Sequence, residues 1–226
     1  MFNDLVRSAY HNPIMERLFH TTVHCLKTEL NGCESVLDLG CGPQSPLSFC
    51  AGVKHSVCVE PFSKYLVRSK KRKIHNRYIC KRIEDISFPK KSFDAVIMIE
   101  VLEHLDKNSG LEIIQKANEW ARKKVIITTP NGFVPQANLD QNPWQRHRSG
   151  WLPSDFRKLG FRVYGLSGLK CLRSNGEKKA MDNDLMASIA WRPKPLWFVV
   201  STLSQLFTYY YPQLAFGTFN VKDTAR

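Results

Sequence analysis

Ser35-Val36-Leu37-Asp38-Leu39-Gly40-Cys41-Gly42 decides the fold of this chain. Ser35 to Leu39 reads as a short buried strand, and it runs straight into a glycine turn. The glycines let the backbone bend sharply and leave space for a ligand against main-chain N–H and C=O groups. A strand, Asp-x-Gly-x-Gly and a helix make a nucleotide-binding turn. Read as a dinucleotide fingerprint, Gly40-Cys41-Gly42-Pro43-Gln44-Ser45 fails at its last position, where Gly or Ala is wanted for close helix packing. Asp38 also opposes a pyrophosphate at this turn, because like charges would face each other.

Working outward, His55 to Glu60 reads as a second strand closed by Pro61, with a helix over 62–72 and a weak third strand at Arg77-Tyr78-Ile79-Cys80. Phe93 to Ile99 is the strongest strand. A helix carrying Leu111, Ile114, Ala117 and Ala121 follows, then a strand at Val125 to Thr129. Such alternation predicts an α/β fold: a doubly wound, Rossmann-like, mostly parallel sheet of about seven strands. On the N-terminal side two helical pieces are expected, broken at Asn12-Pro13, the second presenting Ile14, Leu18, Phe19, Val23, Leu26 and Leu30. Beyond the core, a helix is expected near Pro153 and a strand at Phe161 to Gly165. Leu196 to Val221 carries no charge. Pro212 divides it into a hydrophobic helix, with Leu196, Val199, Val200, Leu203, Phe207 and Tyr210 on one face, and a final antiparallel strand. The helix reads as a packed core or lid element, with an interfacial amphipathic helix as the alternative.

The chain has 226 residues, enough for one α/β domain and short for two. The expected division is a helical cap (1–32), a cofactor-binding core (33–133) and a substrate-side half (134–226). Seven cysteines without a Cys-x-x-Cys pair point to reduced, mostly buried thiols, with no metal site expected. No secretory signal is visible at the N-terminus, so a cytoplasmic protein is expected, peripheral at a membrane if the hydrophobic helix lies on one. The net charge of +13 owes much to Lys64–Lys91, which reads as a solvated face or as a patch for RNA, anionic lipid or an acidic partner.

Asp38 beside the turn suits S-adenosylmethionine, which lacks phosphate and carries an ammonium and a sulfonium. Glu60 ends the second strand about twenty residues on, where a carboxylate borders the binding crevice and can accept both ribose hydroxyl protons. Val36 to Pro43, then Glu60, then Ser92-Phe93-Asp94-Ala95-Val96, then Glu100-Val101-Leu102-Glu103-His104-Leu105, and finally Thr129-Pro130-Asn131-Gly132 resemble the small-molecule type of class I S-adenosylmethionine-dependent methyltransferases, type 11-like, over about residues 33–133. The resemblance implies that Asp38, Gly40, Cys41 and Gly42 surround the methionine part of S-adenosyl-L-methionine. It also implies that Glu60 and Pro61 hold the ribose, Glu84 and Asp85 lie by the adenine, and Ile99 and Glu100 lie beneath the methionine. Tyr10 is a possible cofactor lid.

The segment Asn142 to Trp151 follows the fifth strand. Trp144 and Trp151 with His147 between Arg146 and Arg148 suggest a pocket for an aromatic or anionic acceptor. His147 and His104 are the candidate bases, and each also reads as a structural histidine. Methyl transfer to a small-molecule, lipid-linked or glycan-type acceptor is the leading expectation. An RNA methyltransferase using residues 64–91 and a non-catalytic cofactor-binding module are the alternatives.

Overall fold

The computed structural model describes residues 12–136, 140–174, 186 and 188–224. Its strands are β1 (Ser35–Leu39), β2 (His55–Val59), β3 (Arg77–Ile79), β4 (Phe93–Ile99), β5 (Ala121–Pro130), β6 (Arg162–Leu169) and β7 (Ala215–Asp223). They form one seven-stranded sheet in the order β3-β2-β1-β4-β5-β7-β6. The first five are parallel, and β7 runs antiparallel to both β5 and β6. This is the doubly wound sheet expected from the sequence. Order reverses between β1 and β4, which opens a crevice at the carboxyl ends of those strands.

Side chains alternate across the sheet, so both faces are buried, as a parallel sheet requires. Along β4, Val96 and Met98 pack with Ile113, Ile114, Ala117 and Trp120, while Ala95 and Ile97 pack on the other face with Leu26 and Leu30. The helices involved are α1 (Pro13–Leu18), α2 (Thr22–Glu29), α3 (Ser63–Lys71), α4 (Lys107–Trp120), α5 (Pro153–Lys158) and α6 (Lys194–Thr208).

Several boundaries differ from the sequence reading for local reasons. The expected single helix after Pro13 is two, because His20 adopts φ +46° and Thr21 starts α2 by accepting the N–H of His24. Ile14 and Leu18, expected on the apolar stripe, are exposed, while Leu26 and Leu30 are buried. The segment after the glycine turn is a single 3₁₀ turn, Pro46–Phe49. In α4 the buried stripe is Ile113, Ile114, Ala117 and Trp120; Leu111 is exposed, and Ala121 already belongs to β5. Tyr10 and most of the 170–185 excursion lie outside the described residues.

The largest difference is α6, whose apolar face points outward. Leu196, Val199, Leu203, Phe207 and Tyr210 are all about half exposed or more. The buried face carries Ser201, Gln205 and Thr208 together with Phe198. Those polar groups have work on β6: Gln205 accepts the N–H of Gly168 at 2.8 Å and donates to the carbonyl of Gly165 at 2.9 Å, and the Ser204 hydroxyl accepts the N–H of Leu169. A Cβ at Gly165 or Gly168 would lie 2.0–2.1 Å from the carbonyl oxygen of Thr208 or Ser201, so the glycines are what let the helix approach. The helix is amphipathic as expected, with its faces exchanged.

Candidate functional site

A cavity of about 570 Å³ occupies the crevice. Its first wall is the turn after β1. Gly40 has φ +70° and donates its N–H to the carbonyl of Val59 at 2.7 Å. A Cβ there would meet Val101 Cγ2 at 2.6 Å, in a backbone conformation that side chains rarely adopt. Gly42, at φ +58°, donates its N–H to Glu60 Oε2 at 3.0 Å, and Phe62 donates its N–H to Glu60 Oε1 at 2.9 Å. Glu60 is thus clamped to the loop at the end of β2. Burial pushes its carboxyl pKa up, with the N–H groups of Phe62 and Gly42 opposing.

Asp38 is 2% exposed. Its Oδ2 accepts from the Ser45 hydroxyl and lies 3.0 Å from His75 Nε2. Ser45 also accepts the N–H of Leu47, so the residue that spoils the dinucleotide fingerprint fixes the turn around Asp38. His75 lies far along the chain, outside any motif, and no sequence signal singled it out. Cys41 and Cys58 are joined by a disulfide, which corrects the expectation of reduced thiols for these two; Cys25, Cys33, Cys50, Cys80 and Cys171 are free. The scattered spacing hid the pair because Asp38 and Cys58 are register partners on β1 and β2, which sets the turn beside the neighbouring strand.

The facing wall follows β4. Glu100 adopts φ +55°, donates its N–H to Thr128 and accepts the Thr128 hydroxyl at 2.8 Å. A non-glycine residue held in this region marks a site where tertiary contacts fix a strained backbone. Glu100 is exposed and opens onto the cavity; Glu103 is 2% exposed, and its carboxyl meets that of Glu100 while its Oε2 takes no hydrogen bond from any other group. Desolvation raises both carboxyl pKa values, and for Glu103 the charge of Glu100 adds to the rise.

His104 and His147 complete this wall, their ring centroids 4.8 Å apart. His147 Nδ1 donates to the carbonyl of Val134 at 2.6 Å, and His104 Nδ1 faces the carbonyl of Arg146 at 3.4 Å. Carbonyls only accept, so Nδ1 carries the proton and Nε2 the lone pair in each neutral ring. Burial lowers the pKa of both; for His104, with His147 beside it, the value falls to about 4. Both rings are therefore uncharged near neutral pH.

Residues 37–127 match the family model of a methyltransferase domain. This segment is a methyltransferase domain, and the sheet that carries it has the class I methyltransferase fold. No curated protein sequence matches the chain. Similar folds occur in the methyltransferase domain of bacterial CtHen1-CN (TM-score 0.51, 20% identity, 90% of this chain and 98% of that one). A SAM-dependent methyltransferase from Archaeoglobus fulgidus is similar in fold too (0.50, 18%, 93% and 98%). So is the plantazolicin methyltransferase BpumL in complex with SAH (0.51, 13%, 97% and 89%).

S-adenosyl-L-methionine is the cofactor of this methyltransferase. The cavity fits it: a buried carboxylate stands at the end of β2, and glycine occupies the position where a Cβ would close the turn on Val101. Asp38, Gly40, Cys41, Gly42, Glu60 and Pro61 all line the cavity, as do Ile99 and Glu100. Glu84 lines it and pairs with Arg82, whose guanidinium stacks on the Trp144 ring at 5.1 Å. Asp85 is exposed and lies off the lining. His104, His147, Trp144 and Arg148 line the acceptor side, whereas Trp151 is 1% exposed in the core beneath Lys107. The expected pair of tryptophans is thus one pocket residue and one core residue. Sequence spacing named Glu103 only as part of a motif; its burial against the Glu100 carboxyl becomes apparent only in the folded chain.

Proposed function

We propose that this methyltransferase transfers the methyl group of S-adenosylmethionine to a small-molecule, lipid-linked or glycan-type acceptor seated against His104 and His147. The observation that supports it is a single cavity reaching from Glu60 and Gly42 to those two histidines. In this reading Glu60 receives the ribose hydroxyls, Glu84 lies toward the adenine, and Asp38, Cys41, Ile99 and Glu100 border the methionine part. The acceptor's nucleophilic atom attacks the methyl carbon in line with the departing sulfur. Holding the two in register accounts for up to about 7–11 kcal/mol of barrier lowering. The neutral Nε2 of His104 or His147 accepts the proton of a hydroxyl acceptor.

The outward apolar face of α6 favours the lipid-linked version, because that surface suits the boundary of a bilayer. No helix among the described residues is long and apolar enough to cross a membrane, so contact would be at the surface.

The test is transfer of labelled methyl groups into extract fractionated into lipids, glycans and polar metabolites. Label in one of these fractions, lost with Glu60→Ala, is the expected result; label only in RNA or protein overturns the acceptor class. Co-sedimentation with anionic liposomes, lost in a Val199→Ser, Leu203→Ser variant, tests the lipid version. These two are exposed, whereas Phe198 is buried and its loss would perturb the fold.

A further inference from the structure

One ligand atom from each of Glu103, His104 and His147 lies within 4.8 Å of the other two. No spacing in the sequence brings them together: Glu103 and His104 follow β4, while His147 comes from the loop after β5. The main chain fastens these segments to each other, with Arg148 and Ser149 donating their N–H groups to the Glu103 carbonyl at 2.7 and 3.1 Å. Glu103 Oε2 is buried with no N–H group on it and its carboxyl faces that of Glu100, an expensive pairing of two acids unless a shared proton or a cation sits between them. Both imidazoles anchor Nδ1 on a backbone carbonyl, the outer hydrogen bond that orients a metal-binding histidine and leaves Nε2 to the ion.

We propose that Glu103, His104 and His147 hold a divalent first-row transition-metal ion on the acceptor side of the cavity, and that this ion ligates the acceptor through a hydroxyl oxygen. Two nitrogens and one carboxylate favour Mn²⁺, Fe²⁺, Co²⁺ or Zn²⁺ over the all-oxygen preference of Mg²⁺ and Ca²⁺. Three protein ligands leave positions open toward the cavity, where all three residues form part of the wall. Glu100, beside Glu103 on the same wall, adds negative charge that the cation would offset.

The inference rests on the methyltransferase reading and narrows its acceptor to an alcohol. With both Nε2 lone pairs on the ion, the ion replaces the histidine base of the metal-free reading: the bound hydroxyl, its acidity raised by the ion, loses its proton to solvent. Its oxygen forms the new O–CH₃ bond as the methyl–sulfur bond breaks, and the sulfur keeps that electron pair in neutral S-adenosylhomocysteine.

The experiment is titration of the chelator-treated full chain with Mn²⁺, read by electron paramagnetic resonance, and with Co²⁺, read by visible absorption. S-adenosylmethionine affinity is measured in parallel by calorimetry. One ion per chain is expected, with Glu103→Gln and His147→Asn each weakening it by at least about 100-fold while the cofactor still binds. Pulsed resonance on the wild type should show two directly bound imidazole nitrogens, a readout that does not depend on the variants folding. Absence of binding at millimolar Mn²⁺ and Co²⁺, binding unchanged by both substitutions, or absence of imidazole coupling would overturn the metal site. Failure of cofactor binding with the metal retained would instead strike the methyltransferase reading.

Discussion

The two walls of the cavity are built in opposite ways. The cofactor wall comes from β1, its turn and the end of β2, and its key contacts, Gly40 to Val59 and Gly42 to Glu60, span about twenty residues. The acceptor wall joins the segment after β4 to the loop after β5 through Arg148, Ser149 and the two histidines, more than forty positions apart. Backbone geometry specifies the first wall, so a short motif describes it. Tertiary packing specifies the second, through Trp151, whose indole N–H donates to Ser149 as Ser149 holds the Glu103 carbonyl. A motif can name the methyl donor because the donor's wall is local.

Trp151→Ala makes the sharpest break in this contrast. It should cost about 3–5 kcal/mol of stability, as large core truncations do. Cofactor affinity, measured below the lowered melting point, should stay within about a factor of two if the walls are independent. A large loss of cofactor affinity in the folded variant would show them to be one unit. Glu60→Ala is the converse: cofactor binding should weaken about 10–100-fold, the equivalent of one or two charge-assisted hydrogen bonds net of rearrangement. Unchanged affinity in calorimetry would mean that Glu60 only shapes the loop.

Asp94 supplies a reference far from both walls, at the amino end of β4. Burial opposes ionisation there, but the N–H groups of Glu34 and Ser35 with Arg122 and Lys123 outweigh it and hold the pKa at about 2. A depressed carboxylate stabilises the fold fully above its unfolded pKa of about 3.9. That stabilisation is lost as pH falls through about 2. Asp94→Asn should cost about 1–2 kcal/mol at neutral pH and flatten the acid limb of urea-unfolding midpoints, with cofactor affinity unaltered. An acid limb identical to wild type would remove Asp94 as its source. The smallest effect is expected on α6: Val199→Ser with Leu203→Ser should change stability by no more than about 0.5 kcal/mol, since both side chains already face out. A loss of several times that size in thermal or urea unfolding would place this face in a packed interface.

The same distinction governs what was legible in the sequence. β1 and β4 lie where their apolar runs begin and end, because a strand buried on both faces has no other way to read. β5 begins four residues earlier than its apolar run, since Ala121 pairs with Phe93 across a register shift that composition does not encode. Glu60, Gly40 and Gly42 were identifiable from spacing alone. His75 was not: it meets Asp38 only because β2 and β3 bring residue 75 back beneath the turn. Periodicity found α6 but could not say which face is buried, because that depends on the polar demands of β6. Trp144 and Trp151 look alike in the sequence and part company only when Gly110 leaves room for the Trp151 ring.

The inward polar face of α6 has a consequence for how copies of this molecule meet. β6 is the last strand of the sheet, and Gln205, Ser204 and the carbonyl of Tyr209 take up main-chain groups that an edge strand would otherwise offer to another chain. At the other margin β3 is three residues long and its first, Arg77, is exposed, the short and charged ending that discourages strand addition. Both margins of the sheet are thus guarded against templated β-pairing, one by a helix standing in for a neighbour and the other by brevity and charge.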